Sequence, residues 1–266
     1  MYVCNEINNT LNMKTFKFIG LALAAILMGM SLSSCNKEDS SENEGAEDLA
    51  NEKKIVKFVE SWGSDEELEV ESSFTFKYDD KGRLVEVISS ESGLQFSYAW
   101  GDNLISRARP ENSKVDNITL NNGLVTSHNI YDGNLTYTYN KSNRLVAADG
   151  RHYKLDFVWD NDKLVRISYD DAYQDIVYEG TCKKGYCPTI SYIINDQEYL
   201  YFLNILQPDC VGLRTNKLPK YSVYHGDDGD TDTETYAYEF DKDGYISKLT
   251  VTFEDGDVCV QEYTWK

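Results

Sequence analysis

The chain has 266 residues, with 45 acidic and 26 basic side chains and a formal net charge of −19. Its apolar fraction of 41% is ordinary for a globular protein and excludes a disordered chain or a bundle of membrane helices. The acidity also argues against nucleic acid as a partner, because phosphate backbones repel a net anion and no Lys/Arg-rich run offsets it. We therefore expect one or two globular domains.

Residues 1–34 have the layout of a secretory signal peptide. Lys14 and Lys17 precede an uncharged apolar run over residues 18–30, and small residues follow. The run is shorter than the roughly 20 residues that a transmembrane helix needs. Residues 1–12 lack the usual basic start and are consistent with a start codon placed too early, so we leave them out of the fold prediction.

The end of this segment resembles the lipobox of bacterial lipoproteins. The residues Leu32-Ser33-Ser34-Cys35 directly follow the apolar run. The resemblance implies that the Cys35 thiol receives a diacylglycerol and that Cys35 becomes the new N-terminus. Several acyl chains anchor a soluble domain stably, since each buried CH₂ contributes about 0.8 kcal/mol. The alternative is an ordinary signal peptide with a chance cysteine near its cleavage site.

Residues 35–53 form an acidic, polar stretch without aromatic side chains. Such a composition buries too little apolar surface to fold, so the stretch is predicted to be a flexible tether. Its opening, Cys35-Asn36-Lys37-Glu38-Asp39, resembles the export signal of Bacteroidetes surface lipoproteins. The resemblance implies display on the outer face of the outer membrane; the alternative is a spacer that faces the periplasm.

Residues 54–266 are predicted to form a single β domain built from repeats. In "FTFKYDDKGRLVEV", Phe74, Phe76 and Tyr78 alternate with polar residues, so one face of the strand is buried and the other is wet. The same order of an aromatic residue, Asp or Asn, a turn and an aliphatic residue returns about every 20 residues. The positions aligned with Tyr78 are Trp100, Leu120, Tyr139, Trp159, Tyr178 and Phe240.

Each repeat is predicted to be a hairpin. Asp or Asn opens the turn through bonds to nearby backbone, and Gly82, Asn143 or Gly244 supplies the positive φ that a tight turn requires. About seventeen strands would then form an antiparallel up-and-down meander. A closed or nearly closed barrel, or a strongly curved sheet, protects the edges of such a meander. A flattened sandwich and a membrane-spanning barrel are the alternatives, although mid-strand aromatics are unusual for a lipid-facing wall.

The stretch "YDDKGRLVEV" resembles the Tyr-Asp repeat of Rhs proteins. Over nearly all of residues 54–266 the chain is similar to a family of uncharacterised Bacteroidetes lipoproteins of unknown function, described as having a porin-like fold. The resemblance implies an antiparallel barrel or a strongly curved sheet, and it implies no activity. The chain departs from true Rhs arrays, which are far longer and enclose a cargo domain.

Four cysteines follow Cys35, namely Cys182, Cys187, Cys210 and Cys259. An even number in an exported protein indicates disulfides, with three possible connectivities. The stretch "TCKKGYC" favours a bond between the first two across a hairpin loop, which leaves the last two as the second pair. Zinc is the alternative, but its usual spacing and a nearby histidine are missing from the sequence.

Residues 188–219 interrupt the repeat and contain the apolar stretch "YLYFLNILQPDC". We expect an insertion that caps or plugs the core, with a functional loop as the alternative.

A calcium loop is the one cofactor site that the sequence suggests. Asp228, Asp230 and Asp232 lie at alternate positions, and Ca²⁺ requires several oxygen ligands at once. However, Thr233 lies where an EF-hand loop needs glycine for its sharp turn. A solvated acidic hairpin tip is therefore the favoured interpretation.

No catalytic motif is visible. None of the three histidines, His128, His152 and His225, lies in a motif with a nucleophilic Ser or Cys. We therefore expect a non-catalytic binding or adhesion module whose Tyr, Phe and Trp side chains stack on glycans or anchor a protein partner. The alternatives are an accessory subunit of an outer-membrane complex and, less favoured, a hydrolase with two facing carboxylates.

Overall fold

The structure is a computed structural model that describes residues 52–64, 67–111, 113–130, 133–151, 154–169, 171–194 and 200–266. The predictions for the signal peptide, for lipidation of Cys35, for the tether before residue 52 and for His152 lie outside these residues.

The described chain forms a closed antiparallel barrel of sixteen strands. Each strand pairs with its neighbours in sequence, and the first strand pairs with the last, so the sheet has no free edge along most of its length. This confirms the predicted up-and-down barrel, with one strand fewer than expected. The strands are β1 (Ile55–Ser64), β2 (Glu67–Tyr78), β3 (Leu84–Ser89), β4 (Gly93–Trp100), β5 (Leu104–Arg109), β6 (Lys114–Asn121), β7 (Leu124–Ile130), β8 (Gly133–Tyr139), β9 (Leu145–Asp149), β10 (Lys154–Asp160), β11 (Lys163–Tyr169), β12 (Ala172–Thr181), β13 (Lys217–His225), β14 (Thr231–Phe240), β15 (Ile246–Thr252) and β16 (Val258–Trp265).

Inward and outward side chains alternate along the strands, as the sequence predicts. In β2, Phe76 is buried in the barrel interior, whereas Lys77 is exposed on the outside. Lys77 forms an ion pair with Glu86 of β3 on the outer face, at 2.7 Å. Similar pairs join Lys248 to Glu239 at 3.0 Å and Lys220 to Glu179 at 2.6 Å. The outer wall of the barrel is therefore charged.

Three of the hairpin turns have the same build. Asp79, Asn140 and Asp241 each accept backbone N–H groups from the residues two and four positions later. The fourth residue of each turn has a positive φ, at 72° for Gly82 and 58° for Asn143. These observations confirm the predicted turn chemistry, in which the side-chain oxygen replaces a backbone acceptor.

The insertion is helical and lies largely inside the barrel. It contains α1 (Thr189–Ile193), α2 (Tyr201–Leu206) and α3 (Pro208–Val211), and nearly all of these residues are buried. The Phe202 ring packs 5.0 Å from Phe74 and 5.9 Å from Phe96. The predicted plug is thus confirmed. Within the described residues, no helix is long and apolar enough to cross a bilayer.

We call the end of the barrel that carries turns 79–83, 140–144 and 241–245 the capped end, because the insertion closes it. The N–H of Leu145 donates to the carbonyl of Gly212, and Gln207 donates to the carbonyl of Gly82. A Cβ at Gly212 would lie 2.5 Å from the carbonyl oxygen of Asn143, and its φ is 69°. Only glycine fits this close approach without strain.

A repeated hydrogen bond explains the periodic aromatic residues. In the described chain, seven inward aromatic side chains each donate to a backbone carbonyl of the preceding hairpin, at 2.6 to 2.8 Å. The donor and acceptor pairs are Tyr78 with Ile55, Trp100 with Leu84, Tyr139 with Val125, Trp159 with Leu145, Tyr178 with Leu164, Tyr238 with Pro219 and Trp265 with Ile246.

Each acceptor carbonyl belongs to a residue where the strand register shifts. Leu84, for example, pairs with Tyr78, but the next pair is Glu86 with Lys77, so Val85 is an extra residue. Such a bulge disrupts the ladder locally and leaves backbone groups without their usual partner. The aromatic donor of the next hairpin satisfies the carbonyl, which a buried position requires. We call these seven hydrogen bonds the bulge bonds.

The hairpin of β4 and β5 has no bulge, and the next hairpin has no aromatic donor at the aligned position. The pairing between β4 and β5 is regular, with Trp100 opposite Ile105 and Ala99 opposite Ser106. The aligned position in the next hairpin is Leu120, which has no donor group. The aromatic donor therefore accompanies the bulge, which is why leucine suffices at this one aligned position.

Candidate functional site

We call the end of the barrel opposite the capped end the rim; it includes turns 90–92, 226–230 and 253–257. Near the rim the interior wall carries a basic cluster, formed by Arg107 and Arg109 of β5, Asp116 of β6 and His128 of β7. Phe96 of β4 packs against both arginines, whose guanidinium carbons lie 5.1 and 5.5 Å from the ring centre. Strands β4 to β7 thus bring two arginines, a carboxylate, an imidazole and an aromatic side chain to one part of the interior.

Asp116 is the central acceptor of the basic cluster. Arg107 donates to one Asp116 carboxylate oxygen through Nη2 at 2.6 Å and Nε at 3.1 Å, and Arg109 Nη2 lies 3.4 Å from the same oxygen. Burial alone raises the pKa of Asp116, but the hydrogen bond and charge of Arg107, with the charge of Arg109, lower it below its usual value. Asp116 is therefore ionised at neutral pH.

His128 is fully buried beside Arg107. Arg107 Nη2 lies 3.4 Å from His128 Nε2, and because a guanidinium can only donate, Nε2 is the acceptor. Burial and the positive charge of Arg107 lower the pKa of His128 to about 3. The imidazole is consequently neutral at physiological pH.

Arg109 is the most accessible member of the cluster, with 30% of its side chain exposed. Its Nε atom is nevertheless buried, and it has no hydrogen-bond partner within the described chain. Since buried donors are normally paired, this atom is an exception that calls for an explanation.

A second polar group lies on another part of the interior wall. Gln261 donates to the Glu60 carboxylate at 2.6 Å, and Tyr236 donates to the Glu234 carboxylate at 2.6 Å. Burial raises the pKa of both glutamates. Each carboxylate is held by its own neighbour in the wall, and both lie near Tyr192 of α1.

A small cavity lies between the insertion and the wall. It has a volume of about 10 Å³ and is lined by residues such as Tyr137, Leu200 and Asn204. A space of this size holds about one water molecule. Asn204 Oδ1 is buried there and has no hydrogen-bond partner among the described residues.

The structure brings one of the predicted cysteine pairs together. Cys182 and Cys187 are buried and close enough for their thiols to interact through a hydrogen bond, and Cys187 also donates to Thr189 Oγ1 at 3.2 Å. All four described cysteines are free thiols in the structure. The proximity of this pair is as predicted, and the disulfide itself stays a prediction.

The second predicted pair is not brought together. Cys210 lies in α3 beside Tyr139 of β8, whereas Cys259 lies on β16 opposite Trp62 and Val251. Because β8 and β16 are eight strands apart in the ring of sixteen, they lie on opposite sides of the barrel. The sequence pairs Cys210 with Cys259 only by elimination, which takes no account of the position of the insertion.

The predicted calcium ligands lie at the rim on an exposed turn. Asp228 accepts the backbone N–H of Asp230 at 3.1 Å, as in an ordinary turn, and Asp230 and Asp232 are exposed. In the described parts of the chain, no three Asp, Glu, His or Cys side chains lie close enough to hold a metal ion. Calcium binding at this turn stays a prediction.

The sequence did not reveal the basic cluster. Its members come from three strands, and each looks like an ordinary surface charge on its own. A signal is present in "ISRARP", where Arg107 and Arg109 occupy alternate positions of one strand. These are the positions that point inward if Ile105 is a core residue.

Comparison with solved structures supports the fold. The chain is similar to a porin-like protein from Bacteroides uniformis ATCC 8492, with a TM-score of 0.59 and 15% sequence identity over 80% of this chain and 98% of that one. It is also similar to a porin-like protein from Bacteroides vulgatus ATCC 8482, with a TM-score of 0.55 and 11% identity over the same shares. At this identity the likeness shows the barrel fold alone. No family profile and no curated protein matches the chain.

Proposed function

We propose that the protein is a lipid-anchored, non-catalytic binding module of the bacterial outer membrane, displayed on the cell exterior, whose ligand binds at the rim. The observation that carries this proposal is the difference between the two ends of the barrel. The capped end is closed by the insertion, whereas the inward groups Arg109, Asp116, Glu60 and Glu234 lie toward the rim. Burying a charge costs free energy unless the charge is paired or hydrogen-bonded.

The position of the N-terminal segment agrees with this orientation. Glu52 pairs with Arg214 of the insertion, and Lys54 and Lys266 exchange two backbone hydrogen bonds at the start of β1. The tether that follows Cys35 in sequence therefore joins the barrel at the capped end. A lipid on Cys35 would therefore attach the barrel to the membrane through its capped end.

The outer wall favours a barrel held in water by a lipid tail. The pairs Lys77 with Glu86 and Lys248 with Glu239 occupy outward strand positions, whereas a lipid-facing wall requires a continuous aliphatic band. The likeness to porin-like proteins of Bacteroides supports an outer-membrane role. Because α1, α2 and α3 pack into the bore, binding rather than conduction is the proposed activity.

Two measurements in cells test the anchoring and the address. Replacing Cys35 with Ala is expected to prevent lipidation and to release the barrel from sedimented outer membranes after gentle washing. Replacing the buried Cys210 with Ala is the matched control and should leave the protein on the membrane. If Cys35→Ala stays membrane-bound as firmly as the control, the lipid anchor is refuted.

Protease treatment of intact cells tests surface display. The proposal predicts that an epitope at the exposed turn residue Asp255 is lost from intact cells, while a periplasmic marker protein survives. Survival of the epitope until the cells are lysed would refute display on the exterior.

An accessory subunit is the second candidate, and one observation favours it. The outer half of β2, from Glu67 to Ser72, pairs with β1 but not with β3, whose pairing begins at Phe74. Leu68 and Val70 in this segment are exposed. An unpaired strand edge with apolar side chains can accept a strand of another protein. A photocrosslinker at position 70 that captures one defined envelope protein in cells, with none captured from position 255, would favour this candidate.

A further inference from the structure

We infer that the basic cluster binds an oxyanion, a carboxylate or sulfate group carried by the ligand of the rim, with Arg109 as the residue that contacts it. This inference rests on the proposed function, because it names the chemical class of the ligand at the same end of the barrel. Three features support it: the charges of the cluster, the unpaired Nε–H of Arg109 and the rigidity of its surroundings.

The charges of the cluster favour an anion. Two guanidinium groups share the single carboxylate of Asp116, and the neighbouring His128 is neutral. The formal charges of these four residues therefore sum to +1. This is notable in a chain with a net charge of −19, where acidic partners for arginine are abundant. A surplus cation on a partly dehydrated wall attracts anions more strongly than one on the open surface.

The two arginines differ in how completely they are used. Arg107 is buried and makes two short bonds to Asp116, so its role is to hold that carboxylate in place. Arg109 reaches the same oxygen only at 3.4 Å. Its buried Nε has no partner among the described residues, and part of the side chain is exposed at the rim. Guanidinium groups bind two oxygens of a carboxylate or sulfate side by side, so an oxyanion at this position would give the Nε–H the acceptor that it lacks.

The surroundings of Arg109 keep its guanidinium in place. Its plane lies over Phe96, which packs against Tyr98 and against Phe202 of the insertion. Both Arg109 and Phe96 lie on strands, and the plug fixes Phe96 from the inside. A site held by packed elements loses less freedom on binding than one on a loop, so it binds more tightly. In the β5–β6 ladder the residue opposite Arg109 is Lys114.

Arginine side-chain NMR tests the inference directly. The chain from residue 36 to 266, labelled with ¹⁵N in arginine, is titrated with sodium sulfate and, separately, with sodium acetate; sodium chloride at equal ionic strength is the reference. We expect the Arg109 Nε–H signal to shift in a saturable way with sulfate, with acetate or with both, and not with chloride. The two arms show whether the site prefers a sulfate or a carboxylate. A shift that fails to saturate with either salt, or that chloride reproduces, would overturn the inference.

Two variants locate the effect. Arg109→Gln should weaken the binding of the preferred anion by at least about tenfold, because the bidentate edge and its charge are lost. Arg166→Gln removes the same charge from the outer wall, where Arg166 pairs with Asp175, and should leave the affinity unchanged. If Arg109→Gln binds as well as Arg166→Gln, the site is not at Arg109. The titration of the unaltered chain stands even if a variant fails to fold.

The inference and the proposed function fail in different ways. A neutral ligand that binds at the rim, together with no saturable shift at Arg109, would overturn the anion site and leave the binding module intact. Retention of Cys35→Ala on the membrane would overturn the lipid anchor of the proposed function, and a saturable shift at Arg109 would still establish the anion site.

Discussion

Removing the hydroxyl that donates in a single bulge bond should destabilise the barrel measurably, and the repeat allows the same experiment at three positions. Tyr78→Phe, Tyr139→Phe and Tyr178→Phe each keep the ring and delete the O–H that donates to a bulge carbonyl, at 2.6, 2.6 and 2.8 Å. Burial raises the pKa of all three phenols, so each is protonated and able to donate at any ordinary pH.

The expected magnitude follows from what is left behind. A neutral hydrogen bond contributes about 0.5–1.5 kcal/mol net, but a buried carbonyl that loses its donor costs roughly 1–3 kcal/mol. The acceptor lies at a bulge, where the ladder offers no replacement for the lost donor. We therefore expect each substitution to lower the free energy of unfolding by about 1–3 kcal/mol. For a domain of this size that corresponds to a fall in Tm of about 2–4 °C per kcal/mol.

Urea unfolding of the chain from residue 36 to 266, followed by tryptophan fluorescence, measures the change. Tyr224→Phe is the matched control, because it deletes the same hydroxyl from a tyrosine that is 41% exposed near the rim. The control should lie within about 0.5 kcal/mol of the unaltered chain. If all three Tyr→Phe variants at bulge bonds are as stable as the control, the bulge bonds do not stabilise the fold and the explanation of the repeat is wrong.

Three further predictions concern buried titratable groups and the thiol pair. Burial raises the pKa of Glu60, so the folded state loses stability as pH rises from the ordinary pKa of 4.5 through the raised pKa. At pH 7, Glu60→Gln should be more stable than the unaltered chain by about 1.4 kcal/mol for each unit that separates the pKa of Glu60 in the folded and unfolded chains. In urea unfolding this advantage should vanish near pH 4. The pKa of His128, which faces Arg107, Arg109 and Asp116, is lowered to about 3, so only the unfolded chain gains a proton at this residue as pH falls below 6.5. The free energy of unfolding of the unaltered chain should therefore fall by up to about 1.4 kcal/mol per pH unit more than that of His128→Asn. Equal pH dependence of the two free energies would contradict this. Cys182 and Cys187 should appear as a cross-linked tryptic peptide in unreduced protein from the cell envelope, whereas complete alkylation of both without a reductant would show that no bond forms.

The repeat was predictable because its cause is local. Alternation within strands and the Asp or Asn that opens each turn leave their mark within a few residues, so the hairpins and the turns at Asp79, Asn140 and Asp241 follow from sequence. The closing of β1 on β16 follows less directly, from the need to protect two edges. The bulge bonds cannot be predicted in the same way, because donor and acceptor belong to different hairpins. The seventh donor in β16, Trp265, also lies outside the aligned stretches, and in β14 the donor is Tyr238 rather than Phe240.

The candidate site was harder to predict because it depends on the barrel as a whole. Asp116 meets Arg107 across nine positions of sequence, and His128 joins them from a third strand. Whether these side chains point inward depends on the exact register, since a shift of one residue turns a strand's side chains to the opposite face. The fate of the cysteines depends likewise on the path of the insertion, which places Cys210 far from Cys259.

The claim that the rim is the binding face can be tested at the two ends of one strand. Asp80 lies in the turn before β3 at the capped end and Glu91 in the turn after it at the rim, and both are exposed, whereas the native thiols are buried. A single cysteine at either position, coupled to a bulky maleimide polymer, covers one end of the chain from residue 36 to 266. The protein is then applied to an array of glycans and host proteins. We predict that the polymer at position 91 abolishes binding and that the polymer at position 80 leaves it unchanged; the reverse result would contradict the assignment of the rim.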